Sequence, residues 1–325
     1  MMTVLIAIAA GCASALMFAS MISGVLVSLL LIYFCPLPLM VAGLGWGPLA
    51  STIGGIMAAT GLGAAFGLPL GIAFAIMMAV PAWWLGHLAL LGRPTASAAA
   101  PSGDGTTPVA PTLEWYPIGR LLLWIAASAT LTTMATLLTL GTDAATITET
   151  MRTAALRFVG QGAADSGDEI RQRIESLIMI APALAVISTM TMLTLNLWLA
   201  ARITVTSGRL HRPWPVLKST ELPPMTLAAL SAAIAFCFTG GLLAILAQMI
   251  TAALLMTYAL TGLAVLHTLT LGLKSRTLWL SCTYAILLVS GGWLFVALVV
   301  LGITDAIFGF RQRYLRGRPP PLPAS

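Results

Sequence analysis

From Met1 to Gly92 the sequence contains no aspartate, glutamate, lysine or arginine, and His87 is the only histidine in that stretch. A water-soluble domain of this length needs charged residues on its surface, so their absence excludes one. A bilayer core takes roughly 20 apolar residues per helical span, which leaves room here for about three or four spans. The sequence therefore predicts a polytopic membrane protein.

Charge is scarce in the whole chain, which is 59% hydrophobic and 8% charged, with a mean hydropathy of +0.98. The net charge of +6 comes from 16 basic and 10 acidic residues that lie mostly in loops and in the tail. This distribution fits basic flanks beside membrane spans and disfavours a nucleic-acid partner. The first apolar run has no basic region before it and is too long for a signal peptide, so we interpret it as a retained span.

Residues arranged for catalysis or metal binding are also missing. There is no HExxH or GxSxG motif, no pair of carboxylates lies in a span, and the three histidines are far apart, so we expect no enzyme activity. The spans carry almost no charged residue besides Asp305, which disfavours an ion-driven pump. No metal and no cofactor are expected, and four cysteines in apolar segments are interpreted as core thiols: Cys12, Cys35, Cys237 and Cys282.

Apolar segments and their breaks predict an all-α transmembrane bundle of about eight spans. Breaks at 20–24, 35–38 and 61–63 divide the first half. The expected spans lie near 3–19, 22–35, 38–60, 64–91, 117–141, 176–201, 224–247, 249–272 and 279–303, and the first two are short for separate spans. The predicted organisation is an N-terminal bundle at 1–91, a flexible linker at 92–116, a C-terminal bundle at 117–304 and a basic, proline-rich tail at 305–325.

The C-terminal bundle contains a more polar segment at 142–175. Thr146 with Glu149 and Ser166 with Glu169 have the spacing of capping boxes, and apolar residues recur between them at helical spacing. We expect a short interfacial helix there, either as a solvated connector or as a ligand-binding lid.

Basic residues cluster at 202–218 and again in the tail, and three full spans between these clusters place them on opposite membrane faces. The positive-inside rule disfavours that arrangement. We therefore hypothesise that 225–239, which is short and is followed by Gly240 and Gly241, only dips into the membrane.

Small residues recur every four positions in two N-terminal segments. This spacing lets helix backbones approach closely in lipid, and it indicates either internal packing or a face for a protein partner. The two sets are Ala7, Gly11 and Ala15, and Gly63, Gly67 and Gly71.

Polar side chains within apolar segments need a partner or a polar cavity. On this ground the candidate residues for a ligand pocket are Asn196, Gln248, Tyr258 and His267. Asp305 followed by Arg311 and Arg313 is interpreted as a membrane-exit motif, in which the acid ends the last span and the arginines contact anionic headgroups. A binding role is the alternative for these three residues.

Several segments together resemble the YybS-like family of bacterial membrane proteins. They are GLAVLH at 262–267, LGITD at 301–305, FRQR at 310–313, PLPL at 36–39 and GLGWG at 43–47. The linker and LEWYP at 113–117 look like the alphaproteobacterial branch. The resemblance implies a distant relation to the S components of energy-coupling-factor vitamin transporters, which bind a micronutrient and dock on a membrane partner through small residues of the first helix. Ala7, Gly11 and Ala15 correspond to that docking face.

Two functions from different classes follow. The first is an S-component-like subunit of the bacterial inner membrane that binds a small molecule or takes part in its transport, with another membrane subunit as a candidate partner. The second is a non-catalytic scaffold that recruits cell-envelope or division proteins through 142–175 or the tail. A polar cavity lined by the pocket candidates favours the first function, and a packed interior with an exposed stripe of small residues favours the second.

Overall fold

The computed structural model describes residues 1–95, 112–159, 168–214, 220–289 and 292–316. Within these ranges the protein is an all-α bundle, which confirms the predicted fold class. Seven described helices are long and apolar enough to cross a membrane. They cover Met2–Ser23, Leu26–Trp46, Pro48–Phe66, Leu68–Ala89, Ile118–Leu138, Gln172–Thr206 and Gly241–Gly272.

The individual elements subdivide several of these spans. In chain order they are α1 (Met2–Ala19), α2 (Leu26–Tyr33), α3 (Leu37–Trp46), α4 (Pro48–Phe66), α5 (Leu68–Phe74), a π-helical turn (Ala75–Ala79), α6 (Val80–Ala89), β1 (Gly92–Thr95), β2 (Thr112–Trp115), α7 (Ile118–Leu138), α8 (Ala144–Val159), α9 (Asp168–Thr206), α10 (Met225–Phe236), α11 (Gly241–Leu269), α12 (Arg276–Val289), α13 (Trp293–Phe308) and α14 (Phe310–Arg316).

The N-terminal helix boundaries differ from the expected ones. The break at 35–38 interrupts one span, because α2 and α3 together form Leu26–Trp46. The helices end instead at Gly47 and Gly67, which have φ angles of 94° and 100°. Glycine adopts such angles readily, whereas other residues adopt them only at a cost in free energy. Each glycine is followed by a proline in the first two positions of the next helix, Pro48 in α4 and Pro69 in α5.

The C-terminal boundaries differ as well. The expected span at 279–303 consists of two helices, α12 and α13, and α13 begins after Gly292. Helix α10 has 12 residues and is about 18 Å long, less than the roughly 30 Å of a bilayer core. Gln312 of α14 donates a 2.7 Å hydrogen bond to Glu221, which precedes α10. Both features are compatible with a dipping α10, and the sidedness of the tail stays a prediction.

The chain forms two compact units. The first unit contains Met1–Ile125 and Thr191–Pro215, and the second contains Ala126–Met190 and Val216–Ser325. This division differs from the predicted one at 92–116, because the C-terminal part of α9, from Thr191 onward, belongs to the first unit. The ends of the 92–116 segment pair as an antiparallel two-stranded sheet, β1 with β2, in which Arg93 lies opposite Glu114 and forms a 2.8 Å salt bridge with it.

Close helix crossings hold each unit together. In the first unit, the backbones of α1 and α4 touch where Gly11 meets Gly54, so a Cβ atom on either glycine collides with the facing backbone. In the second unit, α11 and α13 touch in the same way, with Gly302 against the Tyr258 carbonyl and Gly262 against the Leu298 carbonyl. These pairings make α11 and α13 antiparallel. In lipid the hydrophobic effect does not drive helices together. Close backbone approach stabilises the crossing instead, through van der Waals contacts.

The predicted interfacial segment contains α8 and the start of α9. Helix α8 begins earlier than the Thr146 capping box predicts, because Asp143 accepts hydrogen bonds from the Thr146 backbone N–H at 2.9 Å and its hydroxyl at 2.6 Å. These hydrogen bonds lower the pKa of the Asp143 carboxyl. The expected cap at Ser166 lies outside the described residues.

Candidate functional site

The interruption between α2 and α3 leaves backbone groups without a helical partner. In a continuous helix the Leu37 N–H donates to the Tyr33 carbonyl, but here it donates to Phe34 at 3.0 Å. Pro36 and Pro38 have no N–H to offer to the carbonyls one turn earlier. In a membrane protein such freed groups must find partners inside the protein.

Asn196 of α9 provides the partner for the Tyr33 carbonyl. Its Nδ2 donates to Tyr33 and to Met192 of its own helix, each at 2.7 Å. Asn196 is the single asparagine in the sequence, and its side chain is fully buried in the first unit. The amide orientation follows from the two carbonyls, since only the nitrogen can donate to both.

A reciprocal pair of hydrogen bonds holds the other side of the interruption. The Ser14 hydroxyl of α1 donates to the Cys35 carbonyl at 2.8 Å, and the Cys35 thiol donates to the Ser14 carbonyl at 3.3 Å. Both residues are buried. Together with Asn196 and Tyr33 they form a polar cluster, which we call the α2–α3 node, and every member of it is uncharged.

The node keeps one unsatisfied atom. Asn196 Oδ1 is buried and has no hydrogen-bond partner within the described part of the chain. The adjoining helix α2 is weakly covered, since Leu26, Leu29 and Leu30 are each at least 60% exposed. The node therefore combines a free buried acceptor with a short helix that has little packing of its own.

The other pocket candidates do not join Asn196. Gln248, Tyr258 and His267 all lie on α11 of the second unit, about 15 Å and 13 Å apart along the helix. Gln248 is half-buried, and Tyr258 is buried at the crossing with α13. His267 Nε2 lies 2.9 Å from the Tyr284 hydroxyl of α12. The three side chains therefore lie in three different environments along α11.

Asp305 and Arg311 form a buried ion pair at the corner between α13 and α14. Asp305 Oδ2 accepts from Arg311 Nε at 2.7 Å, and Oδ1 accepts from the Arg311 backbone N–H at 2.9 Å. The Arg311 side chain is 8% exposed, so it lies inside the unit, which differs from the headgroup contact expected for it. Arg313 is exposed, and its contact with headgroups stays a prediction.

Internal packing accounts for most of the small-residue positions. Ala7 and Gly11 are buried, and both approach Gly54 of α4. Gly71 of α5 lies against Gly63, with 3.0 Å from an added Cβ to the Gly63 Cα. The sets also include Ala15, which is half-buried, and Gly67, which forms the turn between α4 and α5.

The sequence analysis selected Asn196 as a pocket candidate, interpreted Cys35 only as a core thiol, and did not select Ser14 or Tyr33. The available signal was Pro36 and Pro38 inside an apolar segment, which indicated interrupted backbone and hence a need for polar partners. The partner could not be identified, because Asn196 and Tyr33 are 163 residues apart in the chain.

The helices and the node define the class of this protein as a multi-pass helical membrane protein. Over residues 12–306 the sequence matches the family described as "Predicted membrane protein (DUF2232)", and the chain belongs to that family. No curated protein and no solved structure matches the chain.

Proposed function

We propose that the protein is a non-enzymatic subunit of the bacterial inner membrane that binds a small molecule and takes part in its transport, similar to an S component. The observation that carries the proposal is the free Oδ1 of Asn196 in the α2–α3 node. A buried acceptor without a partner costs about 1–3 kcal/mol, and a ligand that brings an N–H or O–H group removes that cost.

The interrupted helix supports the same function. Irregular backbone at membrane depth is tolerated where it is buried in protein or lines a cavity, and interrupted helices are typical of substrate sites in transporters. Helix α2 packs weakly, and the hydrogen bonds of the node join Asn196 to Tyr33, the last residue of α2, and Ser14 to Cys35, which follows α2. A displacement of α2 opens the node without breaking the crossing of α1 with α4.

We include in this proposal the resemblance to the YybS-like family, to its alphaproteobacterial branch and to the S components. One part of it changes, because Ala7 and Gly11 contact α4 within the chain. A membrane partner therefore uses another surface, and the exposed leucines of α2 offer an apolar surface beside the node.

The test is purification of the tagged protein in mild detergent with mass spectrometry of retained small molecules and proteins. The proposal predicts a bound metabolite, or an ATPase module in stoichiometric amount, from the wild type. Asn196→Leu should lose the metabolite, whereas Thr206→Ala, which changes an exposed hydroxyl on the same helix, should retain it. Retention of the same metabolite by Asn196→Leu contradicts a site at the node.

A scaffold that recruits envelope or division proteins is the second candidate. It is favoured by the exposed polar face of the interfacial segment, where Arg152 of α8 contacts Glu149 of its own helix and Glu175 of α9, each at 3.3 Å. The second of these ion pairs joins α8 to α9 on an exposed surface. Envelope proteins without any bound metabolite in the same purification support the scaffold.

A further inference from the structure

The charged residues of the first unit all lie at one end of it, among the residues that the structure describes. Arg93 and Glu114 are on the two strands, and Arg120 is in the first turn of α7. The Arg212 guanidinium donates to the carbonyls of Ala89 and Tyr116, at 3.0 and 2.9 Å, and this joins the end of α6 to the chain before α7. Burial lowers the pKa of Arg212.

The remaining two arginines belong to the same end. Arg209 follows α9 and lies over the ring of Trp46, the last residue of α3, with 5.4 Å to the ring centroid. Arg202 lies over the ring of Trp214 at 5.1 Å. Both arginines are exposed. An indole face fixes a guanidinium group through a cation–π contact and leaves the N–H edges free.

Among the described residues of their unit, no carboxylate pairs with these two arginines. The sequence of the first unit has five arginines but only two acidic residues, Asp104 and Glu114. Asp104 lies outside the described residues, and Glu114 pairs with Arg93. The free guanidinium edges of Arg202 and Arg209 therefore match a negatively charged group from outside the chain.

Tryptophan marks the depth of this end in the membrane. Seven of the nine tryptophans of the chain belong to the first unit. Tryptophan concentrates where the bilayer meets water, at the level of the lipid headgroups. The seven lie on or within about two turns of the charged end, at positions 46, 83, 84, 115, 124, 198 and 214.

We propose that Arg202 and Arg209, each held by a tryptophan, bind the headgroup phosphates of anionic phospholipids. A guanidinium edge matches two phosphate oxygens, and the tryptophans place both groups at headgroup depth. By the positive-inside rule this end faces the cytoplasm, so the lipids are those of the cytoplasmic leaflet. The proposal does not depend on a small-molecule site at the node.

Native mass spectrometry of the protein in mild detergent, titrated with phosphatidylglycerol, tests the site. Phosphatidylglycerol should bind more tightly than phosphatidylcholine, and each of Arg202→Gln and Arg209→Gln should weaken it about fivefold. Arg93→Gln is the matched control at the same end, because its guanidinium is already paired, and it should bind as the wild type does. Gel filtration of each variant checks that it folds.

Three outcomes overturn the proposal. The first is equal binding of the two lipids by the wild type, and the second is a fivefold loss in Arg93→Gln that matches the losses in Arg202→Gln and Arg209→Gln. The third is competition by inorganic phosphate at concentrations similar to those of the lipid, which identifies a site for free anions. If a glutamine variant fails to fold, Arg202→Lys and Arg209→Lys keep the charge and should still bind more weakly, because lysine lacks the planar fork.

Discussion

The two units solve the same problem, an interrupted helix, with opposite chemistry. In the first unit the interruption frees a carbonyl at Tyr33, and a neutral amide N–H from Asn196 satisfies it. In the second unit a new helix begins after Gly309 and frees an amide at Arg311, which the Asp305 carboxylate accepts. A freed carbonyl needs only a donor, but the carboxylate acceptor also brings a charge, and the Arg311 side chain compensates for it.

The largest loss of stability is expected at the buried ion pair of Asp305. Asp305→Ala should destabilise the second unit by about 3–5 kcal/mol, because it leaves the Arg311 guanidinium buried without its partner. Denaturant unfolding in detergent measures the loss. The double variant Asp305→Leu with Arg311→Met should recover most of it, since it removes both charges. A double variant as unstable as Asp305→Ala contradicts the role of the ion pair.

A smaller effect is expected at the neutral node. Asn196→Leu should cost about 1–3 kcal/mol, because the Tyr33 carbonyl stays buried without a donor. Asn196→Asp keeps the shape but loses the donor and should be no more stable than the leucine variant. Thr206→Ala, an exposed position on the same helix, should change the free energy of unfolding by less than about 0.5 kcal/mol. Wild-type stability of Asn196→Asp argues against the hydrogen bond to Tyr33.

A smaller loss still is expected at the pair of hydrogen bonds between Ser14 of α1 and Cys35 of the interruption. Ser14→Ala should destabilise the first unit by about 1 kcal/mol, the usual net value of one such bond. Cys35→Ala removes the weaker thiol donor and should cost less than Ser14→Ala. The two losses should not add fully in the double variant, because the residues contact each other. Full additivity indicates that the two bonds act independently.

The smallest effect is expected at the N-terminus of α8. There the Asp143 carboxylate accepts hydrogen bonds while it is exposed to solvent. The pKa of Asp143 is lowered in the folded protein, so its stabilisation is present above the ordinary pKa of about 4 and is lost as pH falls through the lowered value. Hydrogen exchange in the first turn of α8 should accelerate in that acidic range. Asp143→Asn keeps an uncharged acceptor, and its exchange should be free of this acidic transition once the intrinsic pH dependence is subtracted.

The membrane class was predictable because it depends on composition, and the charge-free first 92 residues are sufficient for it. Helix ends were less predictable. Glycines at 61–63 look like a break, yet Gly63 is helical and lets Gly71 approach, whereas Gly47 and Gly67 end their helices. Sequence spacing does not distinguish a glycine needed for its φ angle from one needed for its missing side chain.

The candidate site was predictable only where the sequence carried an unusual residue. Asn196 stands out because an amide is costly in lipid. Ser14 and Cys35 do not stand out, since serine and cysteine are common in apolar helices and their partners come from distant segments. The buried state of Arg311 was also missed, because a basic residue after a span suggests headgroup contact until the fold shows Asp305 beside it.

The short separation of Asp305 and Arg311 has a consequence for biosynthesis. The two residues are six positions apart, so their opposite charges can meet as soon as this stretch of chain is made, before α13 finds α11. When α13 then packs on α11 through Gly302 and Tyr258, the corner between α13 and α14 reaches about the middle of α11. Its two charges are already paired at that point. The insertion machinery thus handles a pre-paired charge and not two separate ones, which lowers the cost of placing ionised groups in the assembled protein.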